Sequence, residues 1–131
     1  MREMDEAAQR VEIALARTLE DERGRWLLDH HHHDAQCEYA LTGIVEHEPV
    51  NVIIDRTFVD QQGVRWIIDY KTGGHEGTDT GAFLDSEQNR YRPQLQRYAE
   101  LMSKLDDKHA IRLGLYFPLL GGWREWSYHA S

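Results

Sequence analysis

Asp55-Arg56-Thr57-Phe58-Val59-Asp60-Gln61-Gln62-Gly63-Val64-Arg65-Trp66-Ile67-Ile68-Asp69-Tyr70-Lys71-Thr72-Gly73 reads as two strands joined by a polar turn. Apolar and β-branched residues fill both flanks, and Asp60 to Gly63 is a turn signal, so the segment predicts an antiparallel hairpin. Side chains repeat with period two along a strand, which puts Asp69 and Lys71 on one face. With the turn centred near Gln62, Asp55 falls close to Asp69 across the hairpin. Two carboxylates and an ammonium gathered in a dry place cost several kcal/mol unless a cation sits between the acids. The arrangement points to a divalent ion held by hard oxygens, magnesium or manganese, with Lys71 where a phosphate or an attacking water would stand.

Working outward, Gln36 to Val45 reads as a first strand and Pro49 opens the second, completing a three-stranded meander with the hairpin. Upstream, Met4, Ala7, Ala8, Val11, Ala14, Leu15 and Leu19 recur every three or four residues, predicting a helix from about Glu3 to Leu19 that packs its apolar stripe on the sheet. Arg23-Gly24 breaks it, and Trp26-Leu27-Leu28 adds one further turn. Downstream, Thr72 to Asp85 is rich in Gly, Thr and Asp and reads as a mobile loop. Pro93 suits the first turn of a second helix ending near Leu105. Ile111 to Phe117 alternates as a fourth strand, and Gly121-Gly122 turns the chain into a short aromatic edge strand, Trp123 to Tyr128. Helix, three strands, helix, two strands predicts an α/β fold, a mixed central sheet flanked by helices.

The chain has 131 residues, 40% of them hydrophobic, with three prolines, which suits one domain spanning the whole sequence. The single Cys37 excludes a disulfide framework and reads as an ordinary strand residue. No apolar run approaches the roughly 20 residues that span a bilayer, and Met1 to Asp5 lacks a signal-peptide core; the expectation is a cytoplasmic protein with no membrane partner. The net charge of −8 counts against tight DNA binding by the chain alone.

Ile54-Asp55-Arg56, Ile67 to Gly73 and Gln94-Leu95-Gln96-Arg97-Tyr98 together resemble the motifs of the PD-(D/E)XK nuclease superfamily. The chain looks most similar to the RecB/AddA-type nuclease domain at the C-terminus of UvrD/Rep-like helicases, over roughly Gln36 to Tyr128. Asp-x-Lys alone is weak evidence; the ordered set of Asp, Asp-Tyr-Lys-Thr and Gln-x-x-x-Tyr is much stronger. The resemblance implies a restriction-endonuclease-like fold. It also implies a magnesium- or manganese-dependent DNA nuclease, endo- or exonuclease, that processes single-stranded DNA ends in repair and recombination. A helicase motor, in cis or as a subunit, would deliver the strand. It implies Asp55, Asp69 and the Tyr70 main-chain carbonyl as metal ligands. Asp55, Asp69 and Lys71 form the catalytic set, in which Lys71 orients or deprotonates the water and stabilises developing negative charge. Glu38 matches an acidic position on the family's first strand, second-shell or outer ligand, and Gln94 and Tyr98 match a pair near DNA or the lysine. A lone cysteine excludes the four-cysteine iron–sulfur cluster of some relatives.

Each of these residues has a plainer reading as well. Glu38 suits a solvent-facing strand position, Tyr98 a core position with Gln94 its solvated neighbour, and Arg92 and Arg97 surface charges that could meet phosphate. Arg56 is given a structural salt bridge. Four successive imidazoles, His30 to His33, cannot all aim at one ion from a regular element, so the run reads as surface rather than a zinc site. The resembled family also uses a histidine ligand on a helix before the first strand. No histidine lies in the predicted first helix, so one of His30 to His33 must substitute or the ligand lies upstream. Asn51-Val52-Ile53-Ile54 stands where the family often has a glycine. These departures and the acidic charge keep a rival reading open: a catalytically inactive nuclease-like module that binds DNA or a helicase subunit. A metal-binding protein organised by the histidines is a third.

Overall fold

The computed structural model describes residues 2–73, 77 and 79–130, with side chains from Ala8 onward. The elements follow the order α1 (Arg2–Glu20), α2 (Glu22–Leu27), β1 (His33–Val45), β2 (Glu48–Val59), β3 (Val64–Tyr70), α3 (Thr80–Leu105), β4 (Ala110–Phe117) and β5 (Gly122–Ser127). One sheet takes all five strands in the order β1-β2-β3-β4-β5. β3 and β4 pair in parallel, as a connection through a helix requires, and the other pairs are antiparallel. The expected mixed sheet with flanking helices is the observed one.

The hairpin forms in the register its turn dictates, with Phe58 opposite Trp66 and Arg56 opposite Ile68. Asp60 explains the turn. Its Oδ1 accepts from the Gln62 and Val64 amides at 2.9 Å, its Oδ2 accepts from Trp66 Nε1 at 2.8 Å, and Gly63 takes φ 80°. Asp60→Ala strands the buried indole N–H and two amides. We expect it to cost about 2–3 kcal/mol in chemical denaturation with the fold retained; a loss below about 0.5 kcal/mol would show that the turn does not depend on that carboxylate.

The sheet buries both faces unequally. Against α3 lie Ile67, Leu113, Leu115 and Phe117, packed with Leu95, Ala99 and Met102. The other face carries Phe58, Trp66, Ile68 and Tyr116, covered by Leu27 with Trp26 set edge-on to Phe58 and Trp66. Arg65, 6% exposed, ties the base of the sheet together by reaching Asp34 at 2.6 Å and Asp106 at 2.9 Å. Burial pushes the Asp106 carboxyl up, but hydrogen bonds from His109, Arg65 and the Lys108 amide outweigh it and hold the group at about 2. A carboxyl lowered on folding stabilises the fold above its unfolded value of 3.8 and loses that contribution as pH falls through about 2. Acid unfolding of Asp106→Asn should therefore be flatter than wild type between about pH 4 and 2; parallel curves would contradict this.

Several expectations are corrected. α1 forms, but it packs chiefly on α2 rather than on the sheet, and Val11, Leu15 and Leu19 remain more than half exposed. The break falls at Asp21, not at Gly24. Gly24 lies inside α2, where a Cβ would come within 2.1 Å of the Thr18 carbonyl oxygen, so the close approach of the two helices needs a glycine. β1 starts at His33, three residues earlier than read. α3 begins at Thr80, capped by Asp79 accepting from the Ala82 amide at 2.9 Å, and Pro93 sits inside it rather than in its first turn. The loop is therefore shorter than expected, and residues 74–76 and 78 lie outside the described residues. Among the described residues, Arg56 has no carboxylate partner. It donates to the Leu27 carbonyl at 2.6 Å and to Cys37 Sγ at 3.2 Å, tying α2 to the sheet.

Candidate metal and phosphodiester site

Strand alternation alone would not bring Asp55 to the correct face while keeping Ile54 in the core. Ile54 belongs to the α3-side cluster and Phe58 to the opposite one, although residues four apart on a regular strand share a face. On the partner strand, Tyr39 packs on the α3 side while Cys37 meets Arg56 on the other. Both strands change face at the same level, Glu38 and Asp55, and Glu38 carries φ 48°. This irregularity lets Asp55 reach Asp69 across the hairpin while Ile54 stays in the α3-side core. A left-handed glutamate is costly, and such strain collects at functional positions.

Asp55 then stands beside Asp69. Asp55 Oδ2 accepts from the Tyr70 amide at 2.9 Å, which fixes its carboxylate at the end of the β2–β3 ladder. Asp69 is 6% exposed. Burial pushes its carboxyl up from 3.8 to about 6, the Asp55 carboxylate adds to that, and Lys71 opposes it only in part. Lys71 Nζ lies 2.7 Å from Asp69 Oδ2, an ion-pair distance. Two adjacent carboxylates, one of them buried with its charged form disfavoured, form a hard-donor set whose chemistry fits a divalent cation.

Two cavities flank this end of the hairpin, and Tyr70 and Thr72 line both. One is a groove of about 580 Å3 between α1 and the sheet, bounded by Val11, Leu15, Glu38 and Asp55. The other, about 410 Å3, is bounded by Lys71, Glu87, Arg90 and Tyr91. Among the described residues, the cations that line these cavities are Lys71 and Arg90. Arg92 instead lies over Trp126, 5.0 Å from its ring centre, and Arg97 is exposed on α3. Arg90 and Tyr91 escaped the sequence reading because they lie between the loop, read as ending at Asp85, and the helix, read as opening at Pro93; helical spacing with the later Leu95 and Tyr98 was the available signal.

The remaining sequence-predicted residues divide. Glu38 is exposed and borders the Asp55 groove, a position compatible with an outer ligand. The Tyr70 ring turns to the face opposite Asp69, where burial pushes its hydroxyl up to about 12 and where it has no hydrogen-bond partner among the described residues. Gln94 and Tyr98 do face one another, with Gln94 Nε2 donating to the Tyr98 hydroxyl at 2.5 Å. Tyr98 is a core residue, and among the described residues no hydrogen bond joins either to Asp55, Asp69 or Lys71.

The histidine run separates into different environments. His32 is buried, stacked on Phe58 at 3.9 Å and bonded through Nε2 to the Trp26 carbonyl at 2.6 Å. His33 pairs with Val59, four residues along β2 from Asp55, on the order of 13 Å at strand spacing. His30 and His31 lie on the surface with Asp29, their ligand atoms within 4.8 Å of one another. None of the four is placed in contact with the two acids.

No curated protein matches this sequence. The family model for the PD-(D/E)XK nuclease superfamily matches residues 2–122, which takes in α1, the acid-bearing hairpin, Lys71 and all of α3. The mixed five-stranded sheet, the carboxylate pair across β2 and β3, the lysine two residues beyond the second acid and this match agree: the chain belongs to the PD-(D/E)XK nuclease superfamily.

Proposed function

We propose that this domain is a magnesium- or manganese-dependent deoxyribonuclease that hydrolyses phosphodiester bonds of single-stranded DNA. We place it, as the C-terminal part of a larger helicase–nuclease, in DNA end processing. The observation that carries the reading is the buried Asp69 beside Asp55 with Lys71 Nζ at 2.7 Å. Nucleases of this superfamily generally use divalent metals, and Asp55, Asp69 and the Tyr70 main-chain carbonyl are the groups assigned to hold one. Such an ion supplies charge neutralisation at the phosphate and lowers the pKa of water.

The chain's own residues do the rest. The Tyr70 amide orients Asp55. Lys71, with 22% of its side chain exposed, presents its ammonium at the cavity mouth, where it can orient the attacking water and meet charge building on the phosphate oxygens. Arg90, across the same cavity, is a further phosphate contact. The charge of −8 supports delivery of the strand by a motor rather than capture from solution.

The rival reading, an inactive module, is favoured by one observation: none of His30 to His33 reaches the acids. Labelled single- and double-stranded oligonucleotides separate the two. We expect cleavage of the single strand with magnesium or manganese, stopped by chelator; metal binding without cleavage across substrates would support the inactive module.

A further inference from the structure

Lys71 has a second neighbour besides Asp69. Its Nζ lies 3.8 Å from the centre of the Tyr91 ring on α3. A lysine stem has four carbons and free torsions, so an ammonium held by one carboxylate still samples several positions. The aromatic face attracts the same cation from another side and adds no formal charge beside two acids. Tyr91 is well placed to impose this. Half-buried, it packs against the α3-side core. The Arg90 guanidinium lies 5.2 Å from the same ring, so both cations of the cavity gather on one aromatic residue.

We propose that Tyr91 is a positioning residue for Lys71, its ring fixing the ammonium at the edge of the Asp55–Asp69 pair so that it meets the water and phosphate of the hydrolysis. The inference rests on the nuclease reading above. It assigns the effect to the ring and not to the hydroxyl, so Tyr91→Phe retains it and Tyr91→Leu does not. A positioning role changes turnover more than substrate capture and vanishes once the ammonium is gone.

The test compares wild type, Tyr91→Phe, Tyr91→Leu, Lys71→Met and the double variant Lys71→Met/Tyr91→Leu on a labelled single-stranded oligonucleotide with magnesium. Tyr91→Leu is expected to lower kcat about tenfold, equivalent to about 1.4 kcal/mol, with KM within about twofold. Tyr91→Phe should stay within about twofold of wild type, and the double variant should be no slower than Lys71→Met. An independent reading comes from proton–carbon NMR in chelator. The Lys71 ε-methylene protons should be shifted upfield by the ring in wild type and Tyr91→Phe, and unshifted in Tyr91→Leu. Full turnover in Tyr91→Leu, an equal loss in Tyr91→Phe, or a further loss in the double variant overturns the proposal. If wild type cuts no DNA, the nuclease reading fails instead, and an unshifted Lys71 methylene in wild type then overturns the Tyr91–Lys71 contact itself.

Discussion

Asp69→Asn is expected to leave the domain folded, to abolish the proposed metal-dependent cleavage and to make the chelated protein more stable above pH 6. The carboxyl of Asp69 is pushed from 3.8 to about 6 by burial and by Asp55. A raised carboxyl value means that the folded state holds its proton more tightly than the unfolded chain does. The penalty is absent below about 3.8, grows between 3.8 and 6, and is complete above 6. Asparagine has no charge to desolvate. In chelator the variant should gain on the order of 1–3 kcal/mol over wild type at pH 8, less whatever the Lys71 contact contributes, and nothing comparable at pH 4. Activity should move the other way by more than about 100-fold, on the order of 3 kcal/mol in the transition state, if Asp69 is the metal-holding carboxylate proposed above. Melts at the two pH values with cleavage assays check both halves; a variant less stable than wild type at pH 8 would place Asp69 among the folding residues.

Lys71→Met gives the complementary result. Its stem keeps the packing of lysine without the ammonium, so the fold should persist, with stability lost chiefly above pH 6, where Asp69 is left ionised beside Asp55 without its counter-ion. Magnesium affinity should stay level or rise, since a positive neighbour 2.7 Å from Asp69 repels a bound cation. Cleavage should fall by more than about 100-fold, and Lys71→Ala should behave alike. Calorimetric titration with manganese beside a single-turnover assay separates the two quantities. Joint loss of metal binding, stability and activity would make Lys71 a structural partner of the acids.

The hairpin was readable because its signals are local. Asp60 and Gly63 mark the turn, the flanking strands are β-branched, and period two then puts Asp69 and Lys71 on one face. What escaped reading depends on contacts distant in sequence. The first half of α3 has few apolar positions and a proline ahead of its best-patterned stretch, yet Leu84 is buried against Gly122, where a Cβ would come within 2.8 Å of it. That packing, with the Asp79 cap, extends the helix past what propensity indicates and brings Tyr91 to Lys71. Four histidines do not look like the entry to a strand. His32 is nonetheless a core side chain, held by Phe58 and the Trp26 carbonyl, and His33 pairs with Val59. The change of face at Glu38 and Asp55 has no signature in a single strand, because it needs both at once. α1 has a sound apolar stripe, but Leu27 and Trp26 of α2 cover the sheet face it would have met.

Manganese titration by calorimetry of wild type, Asp55→Asn, Asp69→Asn and the double variant His30→Ala/His31→Ala tests the central claim most directly. The claim is that Asp55 and Asp69 hold the catalytic cation. It predicts that the strongest manganese site disappears in each aspartate variant and persists, with unchanged affinity, when the surface cluster of Asp29, His30 and His31 loses its imidazoles. A strongest site that survives both aspartate changes and vanishes with the histidines would contradict it.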